Sequence, residues 1–289
     1  MHATLDALAT ALYVQIDDFL PARRGPGHPP RITDAELICV AVCQMLLGLP
    51  NDRQFLAIAS YRLGHLFPYL PKQPGYNKRV RRLGPQIAAA ITHLAEISPS
   101  FCDNVRLLDS TPVPCGQSRE TAKRSELAGS AGYGYCASHS RYFWGFRLYL
   151  LCAPDGMPIR FELFAANLGE RDAARQMLHG ADLDGYTVLA DKGFAGEEFE
   201  AFMSSLDADF VRPDRKDEPV RYGALGAIRQ WIESVFWTCK GQLTLERHAG
   251  RTTPGVAARV ALRLLALSAA LWHNQQIGQP GRHLAPYTH

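Results

Sequence analysis

Val105-Arg106-Leu107-Leu108-Asp109, followed by Ser110-Thr111-Pro112, and Tyr186-Thr187-Val188-Leu189-Ala190-Asp191 are two short apolar runs that each close on an aspartate. Runs of this length next to turn residues predict buried strands, so each aspartate is expected at the carboxyl end of a strand. Between them, residues 143–152 and 159–165 read as two further strands, joined at the hairpin signal Pro154-Asp155-Gly156. An amphipathic helix over 171–178 then leads to the second aspartate. Beyond Asp191 the pattern predicts a helix at 197–206, a strand at 209–212, a polar loop through Pro219 and long helices at 225–242 and 256–274. Strands and helices in this order define an α/β layer structure, a mixed sheet flanked by helices. Residues 116–138, with Gly116, Gly129, Gly132 and Gly134 among polar side chains, read as an irregular loop. These glycines match no dinucleotide fingerprint, because no strand feeds them and no helix follows.

Upstream the character is all-helical. Thr33 or Asp34 caps the apolar run 37–47, which Gly48 and Pro50 stop; further helices are expected at 52–63 and 85–97. Pro26, Pro29 and Pro30 read as a linker from an initial helix. The chain is therefore expected to divide into a helical segment at 1–100, a catalytic α/β domain at 101–275 and a flexible tail at 276–289.

The 289 residues are 47% hydrophobic and 20% charged, an ordinary globular balance that excludes a mainly disordered chain. No run of about 18 uninterrupted apolar residues occurs, and Asp6, Asp17 and Asp18 stand where a signal peptide would be apolar, so no membrane partner and a cytoplasmic location are expected. The 7 cysteines contain no C-x-x-C pair, against a zinc knuckle, thioredoxin site or disulfide framework. A net charge of +3 conceals an asymmetry. Residues 1–100 hold 10 basic and 7 acidic side chains, 101–220 hold 13 and 19, and 221–289 hold 8 and 2. Basic flanks around an acidic centre suit a protein that grips a polyanion and binds metal between the flanks; compositional drift is the alternative.

Taken singly, a strand-end aspartate is most often a turn former. The helix expected at 225–242 adds a third carboxylate. At about 100° per residue, Arg229, Glu233 and Lys240 fall on one stripe, at about 0°, 40° and 20°, with Phe236 near 340°. Ile228, Trp231, Ile232, Val235 and Cys239 face the other way, toward a core. Arg229 and Glu233 alone would be a simple helix-stabilising pair. With Asp109 and Asp191 they form a chemical unit: hard oxygen ligands for two Mg²⁺ ions, with Lys240, Arg229 and Lys192 placed to meet DNA phosphates. Lys78, Arg79, Arg81 and Arg82 form a second basic cluster, either a phosphate-binding helix or a solvated face.

At these residues the chain resembles the DDE transposases of bacterial insertion sequences. The resemblance runs from about Asp109 to Asn274 and rests on Leu107-Leu108-Asp109-Ser110-Thr111-Pro112-Val113, Leu189-Ala190-Asp191-Lys192-Gly193-Phe194 and Arg229-x3-Glu233-x6-Lys240, the carboxylates lying 82 and 42 residues apart. It implies an RNase H-like fold, with Asp109 on the first strand, Asp191 after the fourth and Glu233 on a following helix. It also implies Mg²⁺- or Mn²⁺-dependent cleavage of double-stranded DNA at element ends and strand transfer, by a homodimer on DNA that associates with the nucleoid. A nuclease that cuts without joining and an inactive DNA-binding relic are the alternatives. Many relatives carry a tyrosine three residues before the arginine, where this chain has Gly226. The stretch from Ser138 to Gly145 resembles the polar-aromatic lead into the second strand of such enzymes, a role that competes with plain hairpin packing.

Overall fold

The computed structural model describes residues 3–21, 30–136, 140–214, 218–219, 221 and 226–288, with side chains in the last segment from residue 230 onward. The linker expected at Pro26 and Pro29 lies outside the described residues. Two compact units divide the chain: residues 1–98 with 239–289, and residues 99–238.

The first unit is helical. It contains α1 (Leu5–Phe19), α2 (Asp34–Leu46), α3 (Asp52–Leu63), α4 (Gln73–Arg82), α5 (Gly84–Glu96) and, from the far end of the chain, α10 (Thr253–Gln276). Thr33 caps α2 in a full capping box with Glu36, and Asn51 caps α3. Each thereby satisfies backbone donors that the first helical turn leaves without partners. From Gly255 to Asn274 every residue of α10 except Ala257 is buried, and the helix packs against α1, α2, α4 and α5. By length and hydropathy this helix would also suit a membrane span, but 94% of its most apolar window is buried inside the protein. A helix apolar on all sides is a core element, and α10 is the core of this unit.

The division therefore differs from the expected boundary at residue 275: α10 completes the helical unit, not the α/β layer. Nor do the described residues 276–288 of the expected tail lie loose. Asn274 Nδ2 donates to the carbonyls of Pro280, Gly281 and His283 at 3.2, 2.8 and 3.1 Å, and its Oδ1 accepts from the buried Tyr287 hydroxyl.

The second unit is built on one mixed sheet. Its strands are β1 (Val105–Gly116), β2 (Gly132–Cys136), β3 (Arg141–Cys152), β4 (Pro158–Ala165), β5 (Thr187–Ala190) and β6 (Asp209–Val211). β1 lies between β3, antiparallel, and β5, parallel; β6 continues the parallel side. The far side of β3 is shared, with β2 paired to its first part and β4 to its second. The central order β4-β3-β1-β5-β6 is the RNase H-like arrangement the resemblance implied. α7 (Glu170–Leu178) and α8 (Glu197–Ser204) cover one face, where Leu108, Tyr149, Leu151, Val188, Met177 and Phe199 form a core. α9 (Gly226–Gly241) leads out of this unit.

Two expectations need correction here. β1 does not turn at Ser110-Thr111-Pro112 but continues to Gly116. Beyond Leu108 it is paired with β3 alone, so Pro112 and Pro114 withhold no donor from a second neighbour, the edge condition under which strands accept proline. Of the loop expected at 116–138, residues 137 and 138 lie outside the described residues; the rest is more regular than expected, since it contains the short helix α6 (Arg119–Arg124) as well as β2. Because β2 is an added strand, Asp191 follows the fifth strand of the chain, not the fourth.

Candidate active site

The register of β1 on β5 fixes the centre of the site. The last pair in their parallel ladder is Leu108 with Ala190, so Asp109 and Asp191 each stand one residue beyond it, side by side: Asp191 just past the carboxyl end of β5, and Asp109, contrary to expectation, within β1, which runs on to Gly116. Ligands of open α/β sheets collect at this end. Each carboxylate is oriented in the same way. Asp109 Oδ1 accepts from the backbone N–H of Ser110 at 2.7 Å, and Asp191 Oδ1 accepts from that of Lys192 at 2.6 Å. Both side chains are half-buried, which leaves them accessible from outside the sheet.

A third carboxylate bears on this centre, and sequence reasoning missed it. Glu170, the first residue of α7, accepts from the Ser110 hydroxyl through Oε1 at 2.9 Å. Its other oxygen packs on the backbone of Gly193, where an added Cβ would come within 2.5 Å. Glu170 thus touches the residue after Asp109 and the residue two beyond Asp191. Arg147 completes the group, donating to the Ser110 hydroxyl at 3.2 Å and lying 3.9 Å from Glu170. Burial, and then the charges of Glu170 and Asp109, push the neighbouring Tyr149 hydroxyl above its ordinary range, so it stays protonated near neutrality. Glu170 had no local signal, because its partner Ser110 lies 60 positions away.

Glu233 is placed differently. It is exposed on α9, and among the described residues no group of three or more His, Cys, Asp or Glu side chains is gathered to hold a metal ion. The structure brings together Asp109 and Asp191 and leaves Glu233 outside that pair. Two adjacent aspartates nonetheless suit Mg²⁺, which commonly takes one or two carboxylates and completes its octahedron with water and substrate phosphate. The helix also departs from its expected faces. Ile232, Val235 and Cys239 are buried as expected, but Trp231 is 42% exposed, while Phe236, expected on the charged stripe, is buried. The side chains of Ile228 and Arg229 lie outside the described residues.

Of the expected DNA-binding cations, Lys192 is exposed beside Asp191. Lys240 lies 3.8 Å from Glu246, one turn of chain beyond its own helix. In the helical unit, Lys78, Arg81 and Arg82 are exposed on α4. Arg79 is not part of that surface: it pairs with Asp34 and donates to the Ile32 carbonyl at 3.1 Å, holding α4 to the start of α2. Of the aromatic stretch at 138–145, Ser138 and His139 lie outside the described residues; Phe143 and Trp144 are buried and Tyr142 is exposed.

An RNase H-like sheet with two aspartates side by side on adjacent parallel strands is the arrangement of a class of nucleic-acid enzymes. Residues 100–269, more than half of the chain, match the family model described as the transposase DDE domain, and the protein belongs to that family: it is a transposase. Two solved structures are similar at 10% identity. One is the cryo-EM structure of a piggyBac transposase synaptic complex with hairpin DNA, matched over 99% of this chain and 79% of that one with a TM-score of 0.47. The other is the crystal structure of a pre-cleavage Mos1 transpososome, matched over 91% and 83% with a TM-score of 0.23. No curated protein matches the chain.

Proposed function

We propose that the protein is the transposase of an insertion sequence, which cleaves DNA at the element ends and joins the freed 3′-hydroxyl to target DNA. The observation that carries this reading is the placement of Asp109 and Asp191, side by side one residue past the Leu108–Ala190 pair. Like charges held this close repel unless a cation is shared between them. Asp109, Asp191 and, from α9, Glu233 would hold two divalent cations, Mg²⁺ or Mn²⁺, which when bound activate the attacking oxygen and stabilise the leaving one.

The chain's own groups do the rest. The backbone N–H groups of Ser110 and Lys192 aim the two aspartates, and Glu170 fixes the spacing of the segments that carry them. Lys192 meets phosphates flanking the cleaved bond, and on α9 Arg229 and Lys240 contact DNA phosphates, Arg229 as a fork and Lys240 as a point charge. Lys78, Arg81 and Arg82 on α4 supply phosphate contacts that help hold the element ends. The enzyme acts as a homodimer on double-stranded DNA, in the cytoplasm and at the nucleoid.

The test is cleavage and strand transfer on DNA carrying the terminal repeats that flank the gene. Asp109→Asn, Asp191→Asn and Glu233→Gln should each abolish Mg²⁺-dependent cleavage without lowering the thermal midpoint. Cleavage retained in any variant removes that residue from the site. Cleavage without joining by the unmodified protein would make it a nuclease.

A further inference from the structure

β2 reads Gly132-Tyr133-Gly134-Tyr135-Cys136, and its burial alternates strictly, glycines and cysteine in, tyrosines out. At its two glycines the inward face has no room for a side chain. A Cβ on Gly132 would stand 1.9 Å from the Asn167 side chain and 3.0 Å from its backbone nitrogen, and one on Gly134 would stand 2.8 Å from the Ala166 carbonyl oxygen. Cys136, Phe143 and Ala166 pack together on that side. The ribbon of β2 and β3 is thereby pressed against the residues after β4, and its register is fixed with both tyrosines outward.

Pairing extends the outward face. Tyr135 is opposite Tyr142 and Tyr133 is opposite Trp144, so four aromatic residues share one side of the ribbon. Trp144 is the buried floor; Tyr133, Tyr135 and Tyr142 are 55%, 46% and 80% exposed, and the rings of Tyr135 and Tyr142 lie 5.0 Å apart. Such a group of exposed rings on one small ribbon leaves a large apolar area in water and marks a binding surface.

The chemistry of the outward face selects the occupant. From Gly132 to Arg147 the sequence contains no aspartate or glutamate, so the ring face carries no acid of its own, while Arg147 lies on the inward side over Phe143 and is shared with Glu170. In a transposase, exposed rings without intervening carboxylates form a surface on which nucleic-acid bases stack. Arg147 also sets the location. One of its terminal nitrogens donates to the Tyr135 carbonyl at 2.6 Å and the other to the Ser110 hydroxyl, next to Asp109. A single guanidinium spans from the tyrosine ribbon to the aspartate strand.

We propose that Tyr133, Tyr135 and Tyr142 form a stacking platform for unpaired nucleobases beside the cleavage site. The inference rests on the reading of Asp109 and Asp191 as the cutting centre for its location, but base stacking is measurable without cutting. The full-length protein in EDTA is titrated with two oligonucleotide duplexes, one fully paired and one with three unpaired bases that include 2-aminopurine.

The unmodified protein should quench the 2-aminopurine and prefer the unpaired DNA. Tyr135→Ala with Tyr142→Ala should abolish the quench and weaken binding to the unpaired DNA by roughly tenfold for each ring lost, with little change for the paired duplex. Tyr135→Phe with Tyr142→Phe should retain both, since the ring stacks and the hydroxyl does not. Absence of quenching by the unmodified protein, or an equal loss of affinity for both DNAs in the alanine variant, would overturn the platform. Unchanged DNA binding in the alanine variant would assign the patch to a protein partner instead. Cleavage retained by Asp109→Asn would overturn the cutting centre alone, leaving the stacking result to stand or fall separately.

Discussion

Asp52 and Arg259 stand 207 positions apart in the chain and meet as a two-pronged ion pair in the core of the helical unit. Gln44 and Asn77 donate to the same carboxylate at 3.1 and 3.0 Å, and the buried Tyr76 hydroxyl donates to Gln44 at 2.6 Å. One aspartate thus ties together α2, α3, α4 and α10.

Removing either partner strands the other without water. Asp52→Asn and Arg259→Met should each cost about 3–5 kcal/mol, while a paired Asp52→Leu and Arg259→Met replacement should cost less than the sum. Chemical denaturation followed through the helical signal measures this. The pH dependence has a definite sign. Burial alone would raise the Asp52 carboxyl, but the bonds and charge of Arg259, with Asn77 and Gln44, more than reverse it and hold it below its ordinary value. A depressed carboxylate contributes stability that is complete above its unfolded value, about 3.9, and is lost as pH falls through the lower folded value. The unmodified protein should therefore lose stability below about pH 4 more steeply than Asp52→Asn.

Glu170→Gln keeps an acceptor for the Ser110 hydroxyl and removes the charge facing Arg147. Partners that orient metal-binding side chains commonly matter by about 10–100-fold, and a loss of cleavage rate in that range is expected. Its accompaniment should be a raised Mg²⁺ requirement with unchanged affinity for DNA. A normal Mg²⁺ dependence would leave Glu170 as a packing residue only.

On α4 the four basic residues should separate into two behaviours. Neutralising Lys78, Arg81 and Arg82 should weaken DNA binding at all sequences and reduce the salt slope by roughly one unit per lost contact. Arg79→Met should instead lower the thermal midpoint, because Arg79 holds Asp34 and the Ile32 carbonyl. Equal salt slopes before and after the triple replacement would make this face merely solvated.

Lys240→Met tests the charged stripe of α9. The partner seen is Glu246 at 3.8 Å, a partly exposed pair of the kind worth about 0–1 kcal/mol, so the midpoint should barely move. Strand transfer should fall. A lowered midpoint with normal strand transfer would assign Lys240 to structure.

Periodicity made the elements legible wherever a side chain's partners were close in sequence. The apolar runs before Asp109 and Asp191, the hairpin at Pro154-Asp155-Gly156 and the helix from Asp52 all lie where local pattern puts them. β1 beyond Asp109 was hidden because proline signals a turn, and only the one-sided pairing with β3 makes Pro112 and Pro114 acceptable there. β2 was hidden because glycine is a poor strand former, and its period of two becomes visible only once Ala166 and Asn167 are seen to demand glycine opposite them. Of the candidate site, the two aspartates that the register sets side by side were legible. Glu170 and Arg147 were not, since both act through Ser110 from distant segments. Phe236 shows the limit of helical-wheel reading: a position at the margin of a charged stripe can still be covered by packing that the wheel does not contain.

The helical unit is assembled from both ends of the chain, and this sets the order in which it is made. In α2 every residue from Leu37 to Leu46 is buried, and α10, one of the helices that covers it, begins at Thr253. At about 5–20 residues per second, a ribosome needs roughly 8–30 s to travel from the end of the first segment to the start of α10. During that interval the amino-terminal helices present an uncovered apolar surface, while residues 99–238, contiguous in sequence, can fold as they emerge. The nascent chain therefore keeps this apolar surface uncovered until α10 is made, and chaperone capture during synthesis is expected on the helices that carry the α4 cations.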